Sequence, residues 1–164
     1  MTVVCDTSPL LLLARTDRLR LLPTLYSTIV VPNAVLREIR VQEDVPAQRV
    51  HAFLEQSHCR RTEAREEVLD DVEETMGTGE RAAIAVALET GADLVILDDE
   101  RGRTEARRHG RSVTGTIGVL AEAKEHGLIA SMRSELDRLV EAGLWIDESL
   151  YDQVLQEYLQ EYEE

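Results

Sequence analysis

Five acidic residues, Asp6, Glu38, Glu80, Asp98 and Asp99, stand where an α/β chain could gather them. Asp6 and the Asp98-Asp99 pair each follow a short apolar run, Val3-Val4-Cys5 and Leu94-Val95-Ile96-Leu97. Carboxylates brought together from distant parts of a chain suit a hard divalent cation such as Mg²⁺ or Mn²⁺. Such an ion takes oxygen ligands and leaves positions open for water and phosphate. Without it, crowded carboxylates repel and some stay protonated. With it, an attacking water is acidified and charge on phosphoryl oxygens is stabilised, which is what in-line phosphodiester hydrolysis requires.

Each acid also has an ordinary reading. Asp6 serves equally well as the cap of the helix that follows it. Glu38, beside Val35 and Ile39, reads on its own as a solvated flank residue. Glu80 falls in a helix first turn, where a carboxylate favours the dipole in any case. Asp98 or Asp99 would cap the next helix. No one residue decides the matter, so the elements that carry them matter more.

Strand-like and helix-like segments alternate along the chain. Val3-Val4-Cys5 is followed by Thr7-Ser8-Pro9, a helix start with a hydroxyl cap and a first-turn proline. Helical patterns cover Leu10 to Ala14 and Leu19 to Leu25, broken near Thr16-Asp17. Thr28-Ile29-Val30-Val31 is β-branched and predicts a second strand. Pro32 opens a helix with Ala34, Val35 and Ile39 on its apolar face, and Val45 to Leu54 predicts another. Ser57 to Thr75 is polar and poorly periodic and stays mostly unassigned. A strong helix begins at Thr78 and stops at Gly91. Leu94 to Leu97 then predicts a buried strand. A helix through Arg108 stops at Gly110, Ser112-Val113-Thr114 predicts a strand, and Thr116 to His126 a helix stopped by Gly127. Ser131 to Ala142 and Glu148 to Tyr162 predict two amphipathic helices.

This alternation implies a three-layer α/β/α fold around a central, mainly parallel sheet, with the C-terminal helices added to it. In such sheets the working site lies beyond the carboxyl ends of the strands. Asp6 and Asp98-Asp99 would therefore project to one edge.

Length and composition set the outer bounds. The 164 residues fit one domain and can bury a core without disulfides or a structural metal. No stretch reaches the roughly 18 apolar residues of a membrane span, and the first residues carry no basic signal-peptide region. Cys5 and Cys59 read as reduced thiols of a cytoplasmic protein, Cys5 in the core. Net charge is −14, and Lys124 is the one lysine among 18 basic residues. Strong acidity ordinarily argues against nucleic acid as a partner. The same composition suits a protein working in high salt, where self-repulsion is screened within a few ångströms. Salt adaptation and an ordinary acidic surface both fit this composition.

Several blocks, in order, resemble the PIN-domain family, in particular its small single-domain members of VapC-like type. They are Val4-Cys5-Asp6-Thr7-Ser8-Pro9-Leu10, Val31-Pro32-Asn33-Ala34-Val35-Leu36-Arg37-Glu38-Ile39, Gly79-Glu80-Arg81-Ala82-Ala83-Ile84-Ala85, Asp93-Leu94-Val95-Ile96-Leu97-Asp98-Asp99 and Gly115-Thr116-Ile117-Gly118-Val119-Leu120. The resemblance implies a PIN-like domain over residues 1–164, with the C-terminal helices (about 131–162) packed on it or at a dimer interface. It further implies a Mg²⁺- or Mn²⁺-dependent ribonuclease acting on single-stranded or structured RNA, the toxin of a toxin–antitoxin pair, with a cognate antitoxin and a homodimeric state. Carried over, Asp6, Glu38, Glu80 and Asp99 form the catalytic acidic quartet, with Asp98 a rival ligand one residue earlier. Glu80 stands where the family often has Asp. Thr7 looks like the hydroxyl residue beside the first aspartate, and Thr116 stands where some relatives carry a further polar or acidic ligand.

Arg101, Arg103, Arg107, Arg108 and Arg111 form the one dense basic stretch. The first four are candidate RNA contacts, since arginine grips phosphate bidentately. The opposing reading, a solvated face laced by Glu100 and Glu105, carries slightly more weight. The four histidines show no ligand spacing, and His58-Cys59 lacks the further ligands of a zinc site. Thr78-Gly79-Glu80-Arg81 lacks the lysine of a phosphate-binding loop. The apolar C-terminal residues Leu144, Trp145, Ile146, Leu150, Val154, Leu155 and Tyr158 read as helix packing or a dimer surface. Two rivals to the nuclease stay open: a non-catalytic PIN-like binding module, and an α/β domain whose acids serve salt adaptation alone.

Overall fold

The computed structural model describes the backbone of residues 1–163 and the side chains of residues 1–157. The chain runs β1 (Thr2–Cys5), α1 (Thr7–Arg15), α2 (Leu21–Leu25), β2 (Thr28–Pro32), α3 (Asn33–Arg40), α4 (Val45–Leu54), β3 (Cys59–Thr62) and α5 (Glu66–Leu69). It continues through α6 (Thr78–Thr90), β4 (Leu94–Ile96), α7 (Glu100–Arg108), β5 (Val113–Thr114), α8 (Thr116–Glu125), α9 (Met132–Glu141) and α10 (Glu148–Glu163). The sheet has five strands in the order β3-β2-β1-β4-β5, and every neighbouring pair is parallel. The expected mainly parallel sheet is parallel throughout.

Side chains alternate across the sheet with the two-residue period of a strand. Val3, Cys5, Ile29, Val31, Leu94 and Ile96 face a core shared with α1 to α4, α8, α9 and α10. Val4, Val30 and Val95 face a smaller core filled by Ala83 to Ala87 of α6 and Ala106 of α7. Both faces of the central strands are thus covered, which is why β1 is apolar from Val3 onward and β4 throughout. Gly91 closes α6 in the left-handed conformation (φ +64°), as glycine does at a helix stop. The break between α1 and α2 falls at Asp17, which is also left-handed (φ +57°).

The segment that the sequence leaves unassigned holds β3 and α5. β3 reads Cys-Arg-Arg-Thr and pairs with β2 on one side only. An edge strand needs no continuous apolar run, and charge on it discourages pairing with other chains. Its hydrophobic period is therefore absent from the sequence.

The C-terminal helices pack on the larger core. Leu136 and Leu139 of α9 and Val154 and Leu155 of α10 are buried in it, and Leu144 and Ile146 pack against it. Arg18 clamps α9 through two hydrogen bonds to Glu135, of 2.6 and 3.0 Å. Leu150 and Trp145 are exposed, while Tyr158 lies outside the described side chains. Among the described residues no helix is long and apolar enough to cross a membrane.

Candidate active site

From β1 the chain moves outward to β2 and β3, then returns to place β4 and β5 on the other side of β1. The strand order reverses between β1 and β4, and ligands in open parallel sheets bind at such a point, beyond the carboxyl ends. Asp6 follows β1 there, and its backbone N–H donates to Ile96 O of β4 at 3.1 Å. Asp98 and Asp99 leave the neighbouring strand end two and three residues past Ile96.

Asp6 is 5% exposed. It occupies the position before α1, yet its side chain makes no capping hydrogen bond, so the helix-cap reading does not account for it. Its Oδ1 is buried with no hydrogen-bond partner. Burial raises its pKa from 3.8 to about 7, reinforced by the nearby charges of Glu80, Glu38 and Asp98 and opposed by the Thr7 backbone N–H.

Glu38 and Glu80 line the same cleft as Asp6, an open cavity of about 390 Å³ between α1, α3, the start of α6 and the α9–α10 loop. Glu38 is not a solvated flank. Its Oε2 accepts from Thr7 Oγ1 at 2.5 Å, and its Oε1 from Gly79 N at 2.9 Å. The carboxylate thus sits at the N-terminal end of α6, where unpaired amides and the helix dipole favour negative charge. It lies so close that a Cβ on Gly79 would come within 2.7 Å of Glu38 Oε2. Glu80, one residue on, has its pKa raised by burial and by the charges of Asp99 and Glu38, against the Gly77 amide and Arg101.

Asp98 and Asp99 are differently engaged. Asp98 Oδ1 accepts from Thr116 N at 2.7 Å, and Oδ2 accepts from Thr116 Oγ1 at 2.8 Å and Ser8 Oγ at 2.9 Å. The fully buried Thr116 therefore holds a carboxylate rather than replacing one. Asp99 caps α7: its Oδ1 accepts from Arg101 N at 2.8 Å and Gly102 N at 3.1 Å. Asp98 acts electrostatically on Asp6, and Asp99 on Glu80, so both belong to the same charged neighbourhood.

Of the basic stretch, Arg101 donates to Thr75 Oγ1 at 2.8 Å and acts on Glu80. Arg103 Nη1 lies beside Asp98, since a Cβ on Gly115 would stand 3.0 Å from both Arg103 Nη1 and Asp98 Oδ1. Arg107 is exposed at the far end of α7, and Arg108 pairs with the buried Glu105 at 2.5 Å. Glu105 thus does lace the distal half of the helix, while Arg101 and Arg103 stay with the acids.

As placed, no group of three His, Cys, Asp or Glu side chains among the described residues is arranged to hold an ion. Thr7 and Gly79 hydrogen-bond the Glu38 carboxylate, and Ser8 and Thr116 that of Asp98. The orphaned Asp6 Oδ1 and the all-oxygen donor set fit a hard divalent cation.

Four contributors escaped the sequence reading. Ser8 and Gly79 stand beside residues it singled out, in Asp-Thr-Ser-Pro and Thr-Gly-Glu, but their contacts depend on where α1 meets the loop after β4 and α3 meets α6. Arg15 and Trp145 also line the cleft. They come from opposite ends of the chain, and no local pattern marks them.

The family model DUF3368, described as a PIN domain, matches residues 2–160. A crystal structure of Mycobacterium tuberculosis VapC20, described as a sarcin-ricin loop cleaving toxin, is similar with a TM-score of 0.50 at 16% identity, covering 62% of this chain and 93% of that one. That likeness concerns the fold. No curated protein matches the chain.

Proposed function

The chain belongs to the PIN-domain family, and from that membership and its carboxylate cleft we propose that it is a divalent-metal-dependent endoribonuclease. Its substrate is single-stranded RNA, and it is the toxin of a toxin–antitoxin pair. The likeness to a toxin described as cleaving the sarcin-ricin loop supports this reading. One observation carries it: Asp6, buried and with an unpartnered oxygen, shares a cleft wall with Glu38 and Glu80. A buried carboxylate is costly unless something pairs with it.

Asp6, Glu38, Glu80 and Asp99 would hold Mg²⁺ or Mn²⁺, with Asp98 the alternative ligand on the same strand end. Bound there, the ion would acidify water and stabilise charge on the scissile phosphate. Thr7 fixes the Glu38 carboxylate by donating to Oε2, and the Gly79 amide fixes its other oxygen. Ser8 and Thr116 hold Asp98 in one orientation. Burial, with the neighbouring acids, favours a proton on the Asp6 carboxyl, and a divalent cation held there would favour its ionised form instead. Arg101 and Arg103, next to the acids, meet the RNA backbone, with Arg107 and Arg108 farther along it. One domain spanning the chain, a homodimer and a cytoplasmic location complete the reading.

A second reading, a non-catalytic PIN-like module, is favoured by the hydrogen bonds that already occupy Asp98 and Asp99. Cleavage of a mixed single-stranded RNA by the wild type and by Asp6→Asn, with Mn²⁺ and at matched high salt, separates the two. The nuclease cleaves only with metal and loses activity by at least about a thousandfold in Asp6→Asn. Equal traces in both proteins would favour the binding module.

A further inference from the structure

Trp145 is 84% exposed. Tryptophan is among the more buried residue types on average, so a ring left this open calls for a use. It does not sit on a loose tail. Leu144 and Ile146, on either side, pack against the larger core, and this alternation turns the intervening ring outward. The loop is fixed before it as well. Gly143 adopts φ +115°, a conformation other residues rarely adopt. Its N–H donates to Val140 O at 3.1 Å, and Leu144 N to Leu139 O at 2.9 Å. Arg15 Nη1 donates to Ala142 O at 3.2 Å, tying the loop to the end of α1. After the ring, Asp147 Oδ1 accepts from Leu150 N at 2.7 Å and starts α10.

The ring so presented lines the cleft that holds Asp6, Glu38 and Glu80, and the exposed Arg15 lines it too. One cleft therefore offers three carboxylates, a guanidinium, and a flat aromatic face. That combination matches the parts of a nucleotide in a single strand. The phosphodiester goes to the acids and their cation, a neighbouring phosphate to arginine, and an unstacked base to the ring. A volume of about 390 Å³ lies at the lower end of small-ligand clefts, which suits one nucleotide unit rather than a duplex.

We propose that Trp145 and Arg15 form a nucleotide subsite, in which the Trp145 ring stacks one base of single-stranded RNA beside the carboxylate cleft and Arg15 holds an adjacent phosphate. This rests on the endoribonuclease reading and adds to it the residues that position the substrate. Stacking on a π-face tolerates any base, so the subsite selects for an unpaired nucleotide rather than for sequence.

Trp145 is the sole tryptophan of the chain, so its emission reports this site directly. The probes are a mixed single-stranded RNA dodecamer and an abasic ribose-phosphate oligomer of equal length. Each is titrated into full-length Asp6→Asn protein with Mg²⁺, reading Trp145 emission together with the anisotropy of a labelled 5′ end. The dodecamer is expected to quench emission along the same saturation curve as anisotropy, and the abasic oligomer to bind at least about fivefold more weakly without quenching. In steady-state cleavage by otherwise wild-type protein, Trp145→Ala is expected to raise KM by about five- to a hundredfold with kcat within about twofold, and Trp145→Phe to restore most of KM. Arg15→Gln should weaken both oligomers alike and flatten the salt dependence by about one charge. Anisotropy that reports binding while emission stays flat, with KM unchanged in Trp145→Ala, would overturn the subsite and leave the nuclease standing. RNA neither bound by Asp6→Asn nor cleaved by the wild type would remove both. Emission that changes with protein concentration alone, alongside faster sedimentation, would assign the ring to a second copy of the chain and overturn the subsite.

Discussion

Asp6 differs from the other acids of the cleft in having a buried oxygen without a hydrogen-bond partner. Glu38 and Asp98 each accept hydrogen bonds from a hydroxyl and a backbone amide, whereas Asp6 Oδ1 accepts none. Its pKa in the fold, about 7, lies above the value near 4 that an unfolded chain gives it. Between those values the folded state binds more protons than the unfolded one. The contribution of Asp6 to the stability of the metal-free protein therefore falls as pH rises from about 4 to about 7, by an amount on the order of a few kcal/mol. Glu80, also shifted upward, acts with the same sign. Calorimetry at stepped pH should show this decline. Saturating Mn²⁺ should raise Tm more at pH 8 than at pH 5, because at low pH protons compete for the same oxygens. In Asp6→Asn both the pH-dependent loss and the Mn²⁺ shift should shrink sharply; an unchanged Mn²⁺ shift would place the ion elsewhere. Gly79 provides a second test. Alanine favours a helix interior over glycine by up to about 1 kcal/mol, but here its Cβ would meet the Glu38 carboxylate. Gly79→Ala is thus expected to hold Tm within a few degrees while cleavage drops tenfold or more, as Glu38 is pushed from its seat. Unimpaired cleavage would show that Glu38's position does not matter.

At the scale of elements, the site is a meeting of ends: the carboxyl ends of β1 and β4 with the amino ends of α1, α6, α7 and α8. The two strand ends were legible from the sequence, because Val3-Val4-Cys5 and Leu94-Val95-Ile96-Leu97 are unbroken apolar runs that end in aspartate, and buried parallel strands leave that trace. The alanine-rich face of α6 and its closing glycine were legible for the same reason. β3 was not, since a polar edge strand satisfies its hydrogen bonds on one side and needs no apolar period. Nor could the sequence tell cap from candidate ligand, because both uses call for an aspartate just after a strand. The structure gives Asp99 the capping hydrogen bonds and Asp98 the hydroxyl partners. A substitution that keeps the cap can separate charge from capping. Asparagine caps as well as aspartate, while alanine costs about 1 kcal/mol. Asp99→Asn should leave the urea midpoint nearly unmoved and still reduce cleavage about tenfold or more, whereas Asp99→Ala should lower both. Full activity in Asp99→Asn would transfer the ligand role to Asp98.

Across the whole molecule, the net charge of −14 sets the conditions under which the cleft can work. Self-repulsion of that size destabilises a compact state and repels a polyanionic substrate, and monovalent salt screens both within a Debye length. Raising KCl from about 0.1 M toward 1 M should therefore increase Tm of the metal-free protein. A flat or falling Tm would show that the acids are already compensated locally. Arg101 and Arg103 beside the acids, and Arg15 on the same cleft, are few against this background, so local positive charge at the cleft has to come largely from a bound cation. The most direct test of that claim is the anomalous difference map of a crystal soaked in Mn²⁺. The account predicts a peak in the cleft within about 2.1 Å of Asp6 Oδ1, with Glu38 or Glu80 drawn toward it. An empty cleft at saturating Mn²⁺, or a peak bound only by acids elsewhere on the surface, would contradict it.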